Sequence, residues 1–240
     1  MDRYTFKVTI KDSKPSIWRT ISLPANSDFE HFHFIIQAAF CLSGIFDFRF
    51  VKDPHKPSFE CLRFSPEDDE EMLLADGCKD AEKTLLKDFF ATNDSLRYDS
   101  GEWTFDIKLT SLRASGFPYA LVEKGEGKIV YEMCGGIYGQ LMAQEALTKY
   151  PDAPIAQLAR KLLKKKKNAK IDFSFTDKDH KECNRTIHNF EEAILLMPLD
   201  DWDDDVDYSA REKFMDDEFL NIISGRTLDS KIGEDDELLN

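Results

Sequence analysis

The first residues to test for chemistry are the histidines, because imidazole is a common metal ligand. His31 and His33 stand two apart on a predicted helix, so their side chains point roughly 200° apart. His180 and His188 are eight apart, or about 12 Å along a helix axis. Only His180 and Cys183 could share a helix face, and two ligands do not make a zinc site. The spacing favours structural or solvated histidines over a metal centre.

The serines and cysteines form no recognised nucleophile motif. The sequence has no G-x-S-x-G elbow, and no cysteine stands in an evident pairing with a histidine and an orienting amide. The cysteines are odd in number, widely spaced and free of C-x-x-C pairs, which predicts buried, inert thiols in a reducing compartment. These five residues are Cys41, Cys61, Cys78, Cys134 and Cys183.

A glycine-rich segment at residues 134–139 invites a comparison with phosphate-binding loops. It lacks both the lysine of a Walker loop and the spacing of a dinucleotide-binding loop. Glycines in such a segment also permit positive φ angles or close backbone approach. The segment therefore favours a structural turn over a phosphate site.

The charge balance bears on the choice of partner. A net charge of −14 disfavours binding to nucleic acid or to an anionic membrane surface. One basic run, formed by Arg160, Lys161 and residues 164–167, falls at the predicted C-terminal end of a helix, where lysines complement the helix dipole. Contact with nucleic acid and docking of an acidic tail remain open for this run, although no aromatic residue interleaves it.

The hydropathy pattern predicts a cytoplasmic protein. The N-terminus passes directly into alternating, strand-like sequence without the apolar core of a signal peptide. No segment is apolar over the length that a membrane helix requires.

The first fifty residues predict two strands, a helix and a third strand. Apolar residues alternate through residues 4–10, and a second strand follows over 17–24 after Pro15. Ser27 and Glu30 have the spacing of a capping box, so a helix should start there and end near Gly44. Its apolar face would pack on the sheet, and the phenylalanines at 46, 48 and 50 restore the strand period.

The rest of the chain continues this alternation of short elements. Prolines and acids over residues 53–71 predict a loop, followed by a short helix at 84–90 and a strand pair over 96–109 interrupted at Gly101. Helices are expected near 140–149, from Ile155 and over 179–196, with a short strand at 171–175. The fold class is therefore α+β, an antiparallel β-sheet packed by helices.

A change of composition after Pro198 divides the chain into a domain over residues 1–197 and an acidic tail over 198–240. Residues 200–218 contain ten acidic and two basic side chains. Aromatic and aliphatic residues also occur there, from Trp202 to Ile223, which suits a segment that folds on a protein partner or docks on its own domain. We expect residues 200–223 to be a contact surface.

Four segments resemble, in chain order, the motifs of a known family. They are Pro15-Ser16-Ile17-Trp18-Arg19, Gln37 in the following helix, Tyr98-Asp99-Ser100-Gly101-Glu102-Trp103, and Glu132-Met133-Cys134-Gly135-Gly136. They resemble the Ri-plasmid ORF-3-like family, whose members are often labelled insertion-element passenger or TnpR-like proteins. The resemblance covers roughly residues 1–190 and implies a compact α+β domain without an established activity. The resolvase-like label does not carry over, because no serine nucleophile arrangement supports it.

The chain departs from the family pattern where polar chemistry would matter. Gly44 and Phe46 stand in place of two histidines, Phe105 in place of another, and Met133 in place of an acid. If relatives build a metal or acid–base cluster from these positions, an imidazole-based site is lost here. Four acids could still hold a hard cation such as magnesium; they are Asp47, Asp99, Glu102 and Glu132.

Fold maintenance is the other interpretation of the motif residues. Trp18 and Trp103 are large enough to anchor a core, Arg19 could pair with a nearby acid, and Tyr98 to Gly101 is favourable turn chemistry. The candidate residues, structural or binding, are Trp18, Arg19, Tyr98, Asp99, Gly101, Glu102, Trp103, Glu132, Cys134, Gly135 and Gly136.

Two functions follow from this sequence. The first is a non-enzymatic interaction module with no cofactor, which binds through a groove on the domain and through the acidic-aromatic tail. The second is a divalent-metal-dependent enzyme that acts on phosphodiesters or a phosphorylated ligand through Asp99, Glu102 and Glu132. Convergence of these three carboxylates in one concave site would favour the enzyme.

Overall fold

The computed structural model describes residues 2–55, 58–64, 70–75, 77–163 and 171–196. Its described strands form one eight-stranded sheet of order β5-β4-β3-β6-β7-β1-β2-β8. All neighbours are antiparallel except β4 and β5, which are parallel. The strands are β1 (Asp2–Ile10), β2 (Trp18–Pro24), β3 (Phe48–Lys52), β4 (Phe59–Leu62), β5 (Cys78–Asp80), β6 (Ser95–Ser100), β7 (Trp103–Ala114) and β8 (Leu121–Glu126).

Helices accompany this sheet, so the α+β fold class is confirmed. Those described are α1 (Phe29–Phe40), α2 (Glu70–Ala75), α3 (Leu86–Phe90), α4 (Gly136–Lys149), α5 (Pro154–Leu162) and α6 (Asp177–Leu196). The predicted domain boundary at 197/198, the acidic tail and the lysines at 164–167 lie outside the described residues.

Helix α1 begins one residue from its predicted cap. Asp28, rather than Ser27, is the N-cap, and its side chain accepts a hydrogen bond from the His31 backbone N–H at 2.7 Å. A carboxylate at this position satisfies an otherwise unpaired N–H and interacts favourably with the helix dipole. The helix ends at Phe40, and Cys41 follows in the left-handed region with φ 57°.

The core lies between α1 and one face of the sheet. Phe6 of β1, Phe32 of α1 and Phe50 of β3 are fully buried, and the Phe32 ring lies 4.8 Å from Phe6 and 5.8 Å from Phe50, centroid to centroid. Burying one such side chain contributes about 1.5–3 kcal/mol. The alternating apolar residues of β1 therefore face this layer, as their spacing predicts.

The alternate side chains of the central strands lie on the other face of the sheet, here called the open face. Charged residues dominate it: Lys7, Arg49, Asp106 and Lys108 are exposed, and Arg97 is half-buried. Two further members, Asp99 and Thr104, are half-buried. The sheet is thus apolar on one face and charged on the other, as expected for an antiparallel sheet with one solvated side.

Helix α6 packs on α1 and on β8, where its side chains occupy the edge of the sheet. Asn184 bonds to both backbone groups of Val122, and the Glu191 carboxylate accepts the Ala120 N–H at 2.8 Å. These contacts satisfy backbone groups that would otherwise form an unpaired edge.

Three local predictions were wrong. Residues 53–71 contain β4 and the start of α2 instead of a continuous loop. Strand β8 was missed, because Gly125 and the neighbouring Gly127 obscure its alternation. The predicted strand at 171–175 has no strand structure; Ile171 and Phe173 pack on a small cluster between α4 and α5.

Candidate functional site

Arg19 is a buried cation held by backbone carbonyls and aromatic rings. Its guanidinium donates to the carbonyls of Ala39 at 3.0 Å, Glu126 at 3.0 Å and Gly127 at 3.0 Å. A further bond, of 2.8 Å, reaches the carbonyl of Trp18. The expectation that Arg19 pairs with an acid is wrong, since neutral carbonyls are its hydrogen-bond acceptors.

Aromatic rings also pack on the Arg19 guanidinium. Its Cζ lies 3.7 Å from the Phe175 ring centroid and 4.9 Å from that of Phe40. Burial lowers the pKa of Arg19 from its usual range, but guanidinium remains charged at any physiological pH. Arg19 thereby joins β2, the end of α1 and the end of β8 through donors that a lysine lacks, and it stacks on Phe175 before α6.

Tyr98 forms a polar network inside the core. Its hydroxyl lies 2.6 Å from His33 Nδ1 and accepts a bond of 2.5 Å from Gln37 Nε2. The Tyr98 hydroxyl has one proton, which it can donate to His33 Nδ1 in the tautomer that leaves this nitrogen unprotonated. Burial raises the pKa of Tyr98 and lowers that of His33 well below its usual range, so both stay neutral.

Trp103 and Glu132 join the β6–β7 hairpin to the segment before α4. Trp103 is 2% exposed, and its Nε1 donates to the Glu132 backbone carbonyl at 3.0 Å. The Glu132 carboxylate accepts from the backbone N–H of Ser43 at 2.9 Å and from its hydroxyl at 3.0 Å. Burial raises the pKa of Glu132, and the bonds from Ser43 lower it in part. The backbone carbonyl of Glu132 thus binds the β6–β7 hairpin, and its carboxylate binds the segment after α1.

Gly136 brings its backbone close to that of Glu102, across the contact between the hairpin and the segment before α4. Its φ is 61°, and a Cβ built there would lie 2.3 Å from the Glu102 carbonyl oxygen. No side chain fits at that distance, so the two motif segments meet because this residue is glycine. Gly101 and Gly135 also have positive φ, in turns, and Cys134 Sγ lies 3.5 Å from the Gly136 carbonyl.

The acids of the third motif, Asp99 and Glu102, do not form a cluster with Glu132. Asp99 accepts from Arg97 Nε at 2.7 Å, Arg49 Nε at 3.3 Å and the Thr104 hydroxyl at 2.8 Å. Glu102 lies in the hairpin turn and lines the same cavity as Asp99, while Glu132 does not line it. Among the residues that the structure describes, no group of three or more His, Cys, Asp or Glu side chains could hold a metal ion.

Two cavities adjoin on the open face and share Arg97. One, of about 460 Å³, lies over β3, β4 and the β6–β7 hairpin, and contains Asp47, Arg49, Glu60, Asp99 and Glu102. The other, of about 420 Å³, lies over β1, β3, β6 and β7 and is more basic. Its charged residues are Lys7, Lys52, Asp53, Arg97, Asp106 and Lys108.

Trp18 lies beside the basic cavity. The Lys7 ammonium stands 4.9 Å from the Trp18 ring centroid, and Trp18 Nε1 donates to the Glu126 carboxylate at 3.1 Å. Trp18 is half-buried on the open face, so it combines an apolar surface with fixed polar neighbours. Of the motif residues, Trp18, Asp99, Gly101 and Glu102 therefore lie on a surface that a ligand could reach.

Sequence reasoning missed several residues of this arrangement. Lys7 and Lys108 alternate with apolar residues of their strands, and this period could have placed them together on one face. The pairing of His33 with Tyr98 and of Cys41 with Cys183 joins residues far apart in sequence, and no local signal marks it. Within the described part of the chain, no helix has the length and apolarity to cross a membrane.

Comparison with known proteins now gives these motifs a context. A crystal structure of a protein of unknown function from Methanosarcina mazei Go1 is similar, with a TM-score of 0.60 and 22% identity, over 73% of this chain and 95% of that one. At this identity the likeness shows the fold alone. No curated protein matches the sequence. The family model of the plasmid pRiA4b ORF-3-like protein matches residues 2–182. This chain belongs to the plasmid pRiA4b ORF-3-like protein family.

Proposed function

We propose that this protein is a non-enzymatic interaction module whose open face binds an extended, acidic segment of a partner protein. The observation that carries the proposal is the basic cavity of about 420 Å³ on an otherwise acidic molecule. Four basic side chains line it, against the two acids Asp53 and Asp106. Such a local excess of positive charge attracts carboxylates even though the net charge is −14.

The shape of the open face suits an extended chain. The basic cavity continues into the cavity around Asp99 through their shared residue Arg97, so the two form a path across the strands. Trp18 at one side offers an aromatic surface, and aromatic and arginine side chains contribute strongly to protein interfaces. A segment with acidic side chains toward Lys7 and basic or polar ones toward Glu60 and Glu102 would be complementary.

The motif residues support binding over catalysis. The Asp99 carboxylate is held by two arginines and a threonine, and the Glu132 carboxylate is held by Ser43. A catalytic acid or base must reach the proton that it transfers, and these oxygens already serve structural bonds. The alternative, a divalent-metal-dependent enzyme, draws support from three of its four candidate acids, Asp47, Asp99 and Glu102, lining one cavity.

The acidic-aromatic segment 200–223 is part of the proposal as a second contact surface. It carries the composition of a segment that folds on a partner, with acids among aromatic residues. The same composition also matches the ligand proposed for the open face. A synthetic peptide of residues 200–223 is therefore a suitable first probe.

Selection of peptides on the full-length protein tests the proposed function. We expect a displayed library of extended peptides to yield acidic sequences, and the 200–223 peptide to compete with them. Lys7→Glu with Lys108→Glu should weaken their binding at least tenfold, while Lys149→Glu with Lys181→Glu, an equal charge change elsewhere, should not. Failure to enrich acidic peptides, or equal binding by both double variants, would overturn the proposal.

A further inference from the structure

Two cysteine thiols meet at the C-terminal end of α1. Cys41 Sγ lies 3.9 Å from Cys183 Sγ of α6, although the residues are 142 apart in sequence. Cys41 is exposed to solvent, whereas Cys183 is 1% exposed. A reagent that arrives from solvent therefore reaches the pair from the side of Cys41.

The surroundings of the pair favour a thiolate at Cys41. The contact with Cys183 lowers the pKa of Cys41, burial opposes that shift, the positive charge of Arg19 lowers the pKa again, and the negative charges of Asp179 and Glu182 raise it in part. The contact with Cys41 and burial raise the pKa of Cys183. The Cys183 sulfur also lies 3.4 Å from the Ala39 carbonyl oxygen, so its single S–H proton can be given to that carbonyl or to Cys41. Since Arg19 donates to the same carbonyl, its guanidinium is held beside Cys183, and its charge lowers the pKa of both thiols.

The backbone at Cys41 adds an independent observation. Cys41 has φ 57° and ψ 42°, the left-handed conformation in which helices commonly end with glycine. A side chain there is strained, and strained residues cluster at functional sites. In this chain the strained position carries the exposed member of the thiol pair. The expectation of a buried cysteine is wrong for Cys41, which is exposed.

We propose that Cys41 and Cys183 form a peroxide-reactive thiol pair that closes to an intrachain disulfide. The Cys41 thiolate attacks a hydroperoxide oxygen; an S–O bond forms, the O–O bond breaks, and the departing oxygen takes a proton to leave as water or an alcohol. The Cys183 sulfur then attacks the Cys41 sulfenic acid. An S–S bond forms, the S–O bond breaks, and the hydroxide leaves as water with the Cys183 proton. The two sulfurs lose one electron pair, which the hydroperoxide gains.

The geometry needs little change for this reaction. The sulfurs must approach from 3.9 Å to roughly 2.0 Å. The new bond would join the end of α1 to α6, the helix that covers the β8 edge. Oxidation should therefore fix α6 on the sheet and raise the melting temperature of the domain.

Peptide mapping of the full-length protein after hydrogen peroxide treatment tests the proposal. Under non-reducing conditions we expect a Cys41–Cys183 cross-linked peptide as the dominant product, together with a higher melting temperature that dithiothreitol reverses. In Cys183→Ala, dimedone should label Cys41 as a sulfenic acid. In Cys41→Ser, neither the cross-link nor labelling of Cys183 should appear.

Cys134→Ser is the matched control, because burial raises the pKa of Cys134. It should leave formation of the cross-link unchanged. Oxidation of the wild type that begins at Cys134 or Cys78, or that links Cys41 between two molecules, would overturn the proposal. The wild-type map decides the question even if a variant fails to fold.

Discussion

The side chain of Asn184 on α6 completes the edge of β8 by bonding to both backbone groups of Val122. Its Oδ1 accepts from the Val122 N–H at 2.7 Å, and its Nδ2 donates to the Val122 carbonyl at 3.0 Å. The amide thus takes the place of a neighbouring strand. His180 adds a bond of 2.7 Å between its Nε2 and the same carbonyl. This edge is covered by a helix through side-chain bonds instead of pairing with another chain.

Asn184→Leu should both destabilise the protein and promote self-association. The substitution leaves the Val122 N–H without its acceptor, which costs about 1–3 kcal/mol of unfolding free energy. Urea denaturation measures that loss, and light scattering measures association through the exposed edge. Lys181→Leu, on the exposed side of the same helix, is the control. It should change the unfolding free energy and the association much less than Asn184→Leu does. Equal effects of the two substitutions would contradict the role of Asn184.

Arg19→Lys should lower the unfolding free energy by about 3 kcal/mol. A lysine retains the charge but loses the planar donors that reach the carbonyls of Ala39, Glu126 and Gly127, and it loses the stacking on Phe175. Arg113→Lys, on an exposed part of β7, should have little effect. Chemical denaturation of both variants checks this. Equal unfolding free energies for Arg19→Lys and Arg113→Lys would show that the Arg19 guanidinium does not stabilise the contact between β2, α1 and β8.

Gly136→Ala should be far more damaging than Gly116→Ala. Alanine at 136 would place its Cβ against the Glu102 carbonyl, at a residue with φ 61°, whereas nothing lies within 4 Å of a Cβ at 116. We expect a loss of about 2–4 kcal/mol for Gly136→Ala, from strain and displaced backbone, and a near-neutral result for the control. Thermal and urea unfolding measure both. Similar stabilities would mean that the two motif segments do not meet as described.

His33 should make stability depend on pH below its unfolded pKa of about 6.5. Burial lowers the pKa of His33 in the folded protein, with the Arg63 charge adding to the shift, so the folded state binds fewer protons. As pH falls below about 6.5, the unfolded state takes up the proton and stability decreases, by at most about 1.4 kcal/mol per pH unit. Above that pKa, the contribution is constant.

His33→Asn isolates this effect, because its amide can replace Nδ1 as the partner of Tyr98 but does not titrate. The difference in unfolding free energy between wild type and variant should shrink as pH decreases from about 8 to about 5. Other groups contribute to both proteins and cancel in the difference. A difference that stays constant over this range would show that His33 titrates alike in both states.

The strands with regular alternation of apolar residues were predictable from the sequence. The tertiary contacts that connect them were not. Apolar residues alternate through residues 4–10 and mark the buried face of β1. The turn after Ser100 separates two paired strands, as expected. Strand β8 carries Gly125, whose Cβ would clash with Arg19, so its composition reflects tertiary contact and weakens the local signal. Local sequence gives no distance between remote residues, such as Cys41 and Cys183.

Some contacts between the motif residues could be expected from the sequence, but their hydrogen-bond partners and the basic cavity could not. The motif residues do come together in part: Trp103 contacts Glu132, and Gly136 contacts Glu102. Their carboxylates, however, point to different partners, which depends on side-chain directions that only the folded chain fixes. The basic cavity needed the sheet order, because β1, β6 and β7 are not consecutive in the sequence.

The central claim is that the motif residues act through packing and backbone hydrogen bonds, and not through a bound cation. Thermal unfolding of the full-length protein with magnesium, manganese or calcium tests it most directly, since a ligand that binds only the folded state raises the melting temperature. We predict that each cation shifts wild type and the Asp99→Asn, Glu102→Gln and Glu132→Gln variants equally. A rise in the wild type that these substitutions abolish would contradict the claim.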